Sequence, residues 1–588
     1  MLTGKYVNKY YFKYIAFFII GLLSLLAVNY FQLEIPEICG SIIDGIEDGT
    51  LLNNHDLIVD LMFRLGFIAF VLFAGRFGWR YCIIGAAERI EADMREEMFS
   101  HAEKLSNQYY KEHKTGALLA LFTNDLLVVK HMFGFGFIML VDAIFLGGLA
   151  VGKMFAKNWV LTLFALIPMS LIAISAIFVG RIMEKKFKDR QEAYEQLSDF
   201  TQENFSGISV IKAFVKQVVE IFHFSKINKN NYDKNMNYIK FSMLLSVLLG
   251  LIIATIMVVL VGGGAYFSIY GFNGQEFSSG DVWEFVLLFN STIWPFMAVS
   301  ELINSLAQAN ASLDRINEFL DTKVDIVDNN VLEIDDIKGK IEFRNLDFKY
   351  PDGDEVILDN ISFTINAGEM VGIIGKTGCG KTTIVDLLLR TYNVKENSIF
   401  IDDNDIMKIP FKKVRDAIGY VPQDNFLFSD TISNNIAFAF EEIDNDAIID
   451  AAIYADVHNN IIEFNEKYET VLGERGVTLS GGQKQRVSIA RALIKNPSIL
   501  IFDDSVSAVD TKTEETILSN LRKLRKGKTT IMIAHRISTV ETLDKIVLVD
   551  DGKILAVGTH NELVEKSELY KEMVYLQSLE KEVNGGEA

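Results

Sequence analysis

Three cysteines in 588 residues (Cys39, Cys82 and Cys379) are too few and too scattered for a disulfide framework or a metal site. Positive charge is also scarce: 57 lysines and arginines face 77 acids, a formal net charge of −20. That balance argues against a nucleic-acid partner, whose phosphates would be repelled. No cleavable signal peptide is expected, because the first apolar run begins near Tyr14, is too long for an h-region and has no small-residue cleavage site after it. From about Gly339 onward no apolar run reaches membrane length. What the chain has in plenty is apolar: 50% of its residues are hydrophobic and 11% aromatic, crowded N-terminal to about Ala307. Length alone would allow three or four soluble domains, and this uneven spread argues against them.

Stretches of ~20 apolar residues, enough to cross a bilayer, recur near 14–34, 58–82, 132–155, 158–181, 242–270 and 281–307. The second is the least clean, since Arg64, Arg76 and Arg80 interrupt it. The third and fourth lie so close that they must form a hairpin. Lysines 5, 9 and 13 precede the first span, residues 35–56 carry no lysine or arginine, "GRIMEKKFKDR" after the fourth span is basic, and "GFNGQEFSSGD" after the fifth is not. By the positive-inside rule both termini face the cytoplasm. Lys153 and Lys157, in the turn between spans three and four, depart from that pattern. The connections ~83–131 and ~182–240 are polar with helical period and predict helices running well beyond the membrane, at ~1.5 Å per residue. The expected fold is an α-helical membrane domain of six long transmembrane helices with cytoplasmic extensions, joined to an α/β P-loop nucleotide-binding domain. The expected bounds are 1–325 for the membrane domain, 326–338 for a linker and 339–588 for the cassette.

Residues 375–382 read GKTGCGKT, which fits the Walker A pattern. The run follows an apolar strand, "EMVGIIG", and opens a helix, "TTIVDLLLR", the context such a motif requires. Glycines 375, 378 and 380 let backbone N–H groups curl round phosphates, and the helix start adds its partial positive charge. Lys381 would hold the β- and γ-phosphates of ATP, and Thr382 would place a hydroxyl on Mg²⁺. Lys376, Thr377, Cys379 and Thr383 complete the cradle. The thiol of Cys379, inside the loop, is expected to change its solvent access with nucleotide. Further on, LSGGQ (479–483) precedes a buried strand ending at Asp503. Ser480, Gly481 and Gly482, with Gln483 after them, repeat the device of a hydroxyl and bare backbone at a helix start. A chain with one triphosphate site has no internal use for two cradles, so the second is expected to serve a nucleotide held by another chain.

With these motifs in order, the chain resembles the ATP-binding cassette exporters, specifically half-transporters with six spans fused to one nucleotide-binding domain. The resemblance covers nearly the whole chain and implies further roles. Tyr350 would stack on adenine, Gln423 would touch Mg²⁺ and sense the membrane domain, and Asp503 would be the metal-associated Walker B aspartate. "GERG" (473–476) looks like the loop before the signature, "SAVD" (507–510, ending in Asp510) like the D-loop, and His535 like the switch histidine that contacts the γ-phosphate. "NQYYKEHKTGALLALFTND" (107–125) and "YEQLSDFTQENFSGISVIKAF" (194–214) resemble the two loops whose coupling helices press on the cassettes. "SLDRINEFLD" (312–321) resembles the exit from the sixth span.

One residue departs from the family. Where a glutamate polarises the attacking water, this chain has Asp504, shorter by one carbon–carbon bond, ~1.5 Å. A displacement near 1 Å can cost on the order of 10²-fold in rate, and a general base must lie within hydrogen-bond reach of its water. The binding groups are all present, so this site is expected to hold ATP and hydrolyse it slowly. The natural assembly is then a heterodimer with a homologous half-transporter that carries the glutamate. The alternatives are a homodimer in which Asp504 is a working base, and a nucleotide-gated regulatory or lipid-flipping cassette protein. Glu34, Asp142, Asn290, Trp294 and Glu301 are the polar candidates within the spans, although interhelical pairing or a position near the interface accounts at least as well for Glu34 and Glu301. Phe17, Phe18, Phe137, Phe145, Phe285, Phe289 and Phe296 suit an amphiphile-binding cavity as well as lipid-facing packing. No peptidase domain precedes the first span, which disfavours processing-coupled peptide export. The expected cargo is an amphiphilic small molecule, drug or lipid-like, moved across the cytoplasmic membrane.

Overall fold

The computed structural model describes residues 4–271, 277–334, 336–442, 444–473, 476, 478–505 and 511–585, with side chains 171–181 and 580–585 excluded among a few others. It divides into two compact units, residues 1–100 with 116–321, and residues 101–115 with 322–588.

The first unit is helical. Its long helices are α1 (Ile15–Glu47), α2 (His55–Ala102), α3 (Thr115–Lys157), α4 (Trp159–Ser206), α5 (Gln217–Tyr270) and α6 (Ser279–Asp321). Five of them, all but α4, are long and apolar enough to cross a membrane. α4 carries the shorter apolar stretch Trp159–Ser170, and the rest of the expected fourth span lies outside the described side chains. Residue Asn158 alone separates α3 from α4, and its side chain caps the new helix by accepting from the N–H groups of Val160 and Leu161 at 3.0 and 3.1 Å. The hairpin read from the short spacing is this turn. On α2, Phe63, Phe67, Phe70, Phe73 and Phe77 all point outward, as suits a helix bathed in lipid.

The two lysines that depart from the positive-inside pattern are neutralised where they sit. Lys153 pairs with Glu34 at 2.9 Å and Glu37 at 3.3 Å, and Lys157 pairs with Asp281 at 2.6 Å and Glu284 at 2.7 Å. Each cation therefore carries its own counter-charge from α1 or α6. Glu34 takes the pairing role among its two expected ones. At the far end of α3, buried Asp125 accepts from Ser312 at 2.8 Å and from Arg315 on α6 at 3.0 Å.

The second unit is built on two sheets. β1 (Ile341–Phe348), β2 (Leu358–Ile365), β4 (Ile399–Ile401) and β5 (Asn404–Asp405) form an antiparallel sheet in the order β2-β1-β4-β5. The other sheet runs β10-β9-β3-β8-β7-β6, from β3 (Met370–Gly375), β6 (Ile418–Val421), β7 (Ile499–Asp503), β8 (Thr529–Ala534), β9 (Lys545–Asp550) and β10 (Lys553–Gly558). All neighbours in it are parallel except the β9–β10 pair. The parallel strands are near-continuous apolar runs, such as MVGIIG and ILIFD, because both faces are buried. In sheets of this kind the ligand crevice opens outside the carboxyl ends of the strands. Here Gly375 and Asp503 end β3 and β7, and His535 is the first residue past β8, the strand between them.

Candidate functional site

The loop after β3 is shaped by its glycines. A Cβ on Gly375 would lie 2.0 Å from the carbonyl oxygen of Val549, and Gly378 and Gly380 sit at φ of +84° and +97°. Only glycine adopts these positions at low cost. The loop closes directly onto α7 (Lys381–Leu388), whose first residue is Lys381. The Lys381 ammonium turns back over the loop and donates to the carbonyls of Gly375 and Lys376 at 2.9 and 2.8 Å. Backbone N–H groups of a glycine-rich loop, a buried ammonium and a helix start therefore converge where a polyphosphate would sit, so the residues fit ATP.

Cys379 corrects one expectation. Its thiol is only 6% exposed, packed toward Gly375, and burial pushes its pKa up. The fold itself already shields the thiol, so nucleotide is not needed to do so. Maleimide at neutral pH is expected to label Cys379 slowly in nucleotide-free protein and rapidly only after denaturation, read by mass spectrometry of the loop peptide. Brisk native labelling would contradict this burial.

Next to the cradle, Thr382 donates its hydroxyl to Asp503 Oδ1 at 3.2 Å. Tyr420, one strand away on β6, donates to Asp503 Oδ2 at 3.4 Å. Burial raises the Asp503 pKa, the two hydroxyls oppose that shift, and the charge on Asp504 adds to it. A hydroxyl and a carboxylate side by side are the hard oxygen donors that Mg²⁺ takes, with phosphate and water completing its shell. Tyr420 escaped the sequence reading, since nothing about "GYVPQ" separates a strand tyrosine from an Asp503 partner. Gln423, two residues past the end of β6, is exposed.

Asp504 follows the last residue of β7 in a left-handed conformation, φ +46°, with its N–H bonded to the Ile533 carbonyl at 3.0 Å. That bond ties it to β8, which ends one residue before His535. The His535 carbonyl accepts from Gln577 Nε2 at 2.7 Å, and Gln577 Oε1 accepts from the Ile537 N–H at 2.7 Å. Gln577 belongs to the C-terminal helix α9 (Glu568–Gly585). It thus clamps the backbone on both sides of Arg536, a contact between distant stretches that no local signal announces.

Tyr350 is half-buried and linked by its hydroxyl to Thr383 at 2.9 Å. Burial raises its pKa. Its ring meets Tyr392 edge-on at 5.2 Å, and Lys111 stands 5.1 Å from its centroid while donating to the Tyr392 hydroxyl at 2.8 Å. The Tyr392 bond holds the Lys111 ammonium above its ordinary pKa. Lys111 lies on the short helix Asn107–Glu112, within the segment expected to form the first coupling helix.

The signature forms a second exposed helix start. Ser480 accepts from the Gln483 N–H at 3.3 Å while Gln483 Oε1 accepts from the Ser480 N–H at 2.9 Å, a capping box at the head of α8 (Gly481–Ile494). Ser480 and Gly481 are exposed, with Gly482 and Gln483 half-buried. Hence the structure brings Tyr350, the 375–383 loop and Asp503 into one neighbourhood, and sets the 480–483 turn at the start of a separate helix. Asp510 and the rest of "SAVD", with Glu474 and Arg475 of "GERG", lie outside the described residues.

Comparison with known proteins places both units. Residues 18–296 match the ABC transporter transmembrane region, and residues 358–507 match the ABC transporter domain. The chain is 37% identical, over 99% of its length and 98% of the relative's, to the probable multidrug resistance ABC transporter ATP-binding/permease protein YheI of Bacillus subtilis. It is 33% identical to the multidrug resistance-like ATP-binding protein MdlA of Escherichia coli, over 95% of this chain and 94% of that one. Among solved structures, a bacterial Atm1-family ABC exporter with ATP bound matches with a TM-score of 0.76 at 25% identity, covering 97% of this chain and 99% of the other.

Proposed function

Because the chain belongs to the ABC transporter family, with a membrane region and an ATP-binding cassette fused as in exporter half-transporters, we propose that it is the slow-hydrolysing half of a heterodimer. ATP-driven export across a membrane, by a dimer, is the activity of the exporters in this family, which the chain's relatives resemble. Relatives described as multidrug resistance proteins support an amphiphilic small molecule as the cargo. The observation that carries the heterodimer reading is the contrast between Asp504 and an intact, outward-facing Ser480 capping box.

In this reading Tyr350 stacks on adenine, and Gly375, Lys376, Thr377, Gly378, Cys379, Gly380 and Thr383 wrap the phosphates with the loop. Lys381 exchanges its two carbonyl partners for phosphate oxygens. Thr382, Asp503 and Gln423 would hold Mg²⁺, which would supply positive charge against the phosphate oxygens. His535, whose carbonyl accepts from Gln577, contacts the γ-phosphate, and Asp504 orients water from too short a stem. Ser480, Gly481, Gly482, Gln483 and Asp510 act on the nucleotide of the other chain. The division of the chain at 325 and 338 follows the same reading.

One observation favours a homodimer with Asp504 as working base. The left-handed backbone at 504 is a region in which aspartate is several-fold enriched, so the fold has its own reason to carry aspartate there. Assembly decides between the two. Tagged chain is expected to co-purify one-to-one with a homologous half-transporter that has glutamate after its Walker B aspartate. A stable homodimer with brisk, substrate-stimulated ATPase would overturn the heterodimer.

A further inference from the structure

Four acids are buried among the described residues of the helical unit: Glu91, Asp125, Asp142 and Glu284. Three of them have a cation. Glu91 pairs with Lys130 at 2.7 Å, Glu284 with Lys157 at 2.7 Å, and Asp125 with Arg315. Asp142, 8% exposed on α3, has no cationic partner among the described residues. Asn29 Nδ2 of α1 donates to its Oδ1 at 2.9 Å, and Trp294 Nε1 of α6 donates to its Oδ2 at 3.0 Å.

Both carboxylate oxygens therefore accept from neutral N–H groups, one from α1 and one from α6. Trp294 lies thirteen residues along α6 from Asp281, the partner of Lys157 at the end of α3, or about 20 Å of helix. The charge thus sits deep in the span, where an unpaired anion is costly and marks function by default.

The geometry also leaves room for a visitor. Trp294 spends its N–H edge on Asp142 while 45% of the residue stays exposed, so part of the indole remains open beside the carboxylate. The two helices approach closely beside this pair, where a Cβ on Gly147 would lie 2.9 Å from the Cβ of Pro295. A π turn, Asp142–Leu146, starts at the acid itself, a feature often found at functional sites. Indole faces attract cations, by ~2 kcal/mol or more when desolvated.

We propose that Asp142 and Trp294 form the recognition point for a monovalent organic cation, a lipophilic ammonium or phosphonium, among the exported amphiphiles. This rests on the reading of the chain as an amphiphile exporter. The carboxylate supplies the counter-charge, the indole face supplies the apolar and quadrupolar contact, and Asn29 orients the carboxylate.

The test uses the purified full-length complex in lipid nanodiscs without nucleotide, and equilibrium binding of two probes of matched size, tetraphenylphosphonium and tetraphenylborate. Asp142→Asn is expected to weaken the phosphonium by roughly 30-fold or more, as loss of a buried charge partner does, and to leave tetraphenylborate no weaker. Asp142→Glu keeps the charge and should retain most of the phosphonium binding. Trp294→Ala is expected to bind the phosphonium roughly tenfold more weakly than Trp294→Phe, which keeps an aromatic face. Equal loss of both probes in Asp142→Asn means that Asp142 is only an interhelical clamp, and unchanged phosphonium binding overturns the site outright. If Asp142→Asn does not accumulate, the comparison of Trp294→Ala with Trp294→Phe decides alone, and equal affinities overturn the proposal. Binding to the resting complex needs no pumping. Failure of ATP-driven uptake into inverted vesicles would therefore sink the exporter reading separately.

Discussion

Asp504→Asn is expected to lower steady ATP turnover of the assembled transporter only modestly, by a few-fold. In the proposed heterodimer, Glu→Gln at the matching position of the partner should cut it by roughly 10²–10⁴-fold, the usual cost of losing an oriented general base. The difference follows from reach. Asp504 is pinned by its N–H to Ile533 at 3.0 Å, so its backbone cannot advance to make up for the missing methylene. Its left-handed φ of +46° also bears on the reverse change. Asp504→Glu restores the stem but places a less suited residue in that conformation, so only part of the missing turnover should return. Phosphate release from the co-purified complex measures all three variants. If Asp504→Asn silences the complex as fully as the partner's change does, Asp504 is a working base and the asymmetric-site reading fails.

Much of this site could be read from the chain because phosphate chemistry constrains short contiguous stretches. Gly375 to Thr383 had to be glycine-rich, strand-led and helix-ended, and the backbone is arranged that way. The apolar runs gave most of the membrane helices for the same reason, since a bilayer demands ~20 apolar residues in a row. The contacts that stayed hidden are those made between distant stretches. Tyr420 reaches Asp503 because β6 happens to neighbour β7, and Gln577 clamps His535 from a helix 42 positions away in sequence. The lysines at 153 and 157 misled in the same way. Their charge counted against the topology until Glu34, Glu37, Asp281 and Glu284, from helices α1 and α6, were seen beside them. The burial of Cys379 was likewise invisible, because a loop residue is ordinarily exposed.

Asp503→Asn should move stability and function in opposite directions. The carboxylate is 2% exposed, and burial raises its pKa against the Thr382 and Tyr420 hydroxyls. A raised pKa means that the folded cassette holds the proton more tightly than the unfolded chain does. The stabilisation this brings is complete below the unfolded pKa and is lost as pH rises through the folded one. At neutral pH the ionised carboxylate is therefore a net cost to nucleotide-free protein. Asparagine is neutral and nearly isosteric. Its oxygen accepts from one hydroxyl, and its amide donates to the other, which can rotate to receive it. The nucleotide-free variant should melt higher by a few degrees, about 2–4 °C for each kcal/mol relieved in a domain of this size. The gap should close as pH falls through the folded pKa of Asp503, because wild type then becomes neutral too. With Mg-ATP the order reverses: wild type gains a large thermal shift from ligand binding, and the variant, lacking the magnesium carboxylate, gains little and loses nearly all turnover at this site. Melting curves with and without Mg-ATP at two pH values test both arms. A variant that melts lower without nucleotide, or keeps the full Mg-ATP shift, would show that Asp503 is neither the strained acid nor the metal ligand described here.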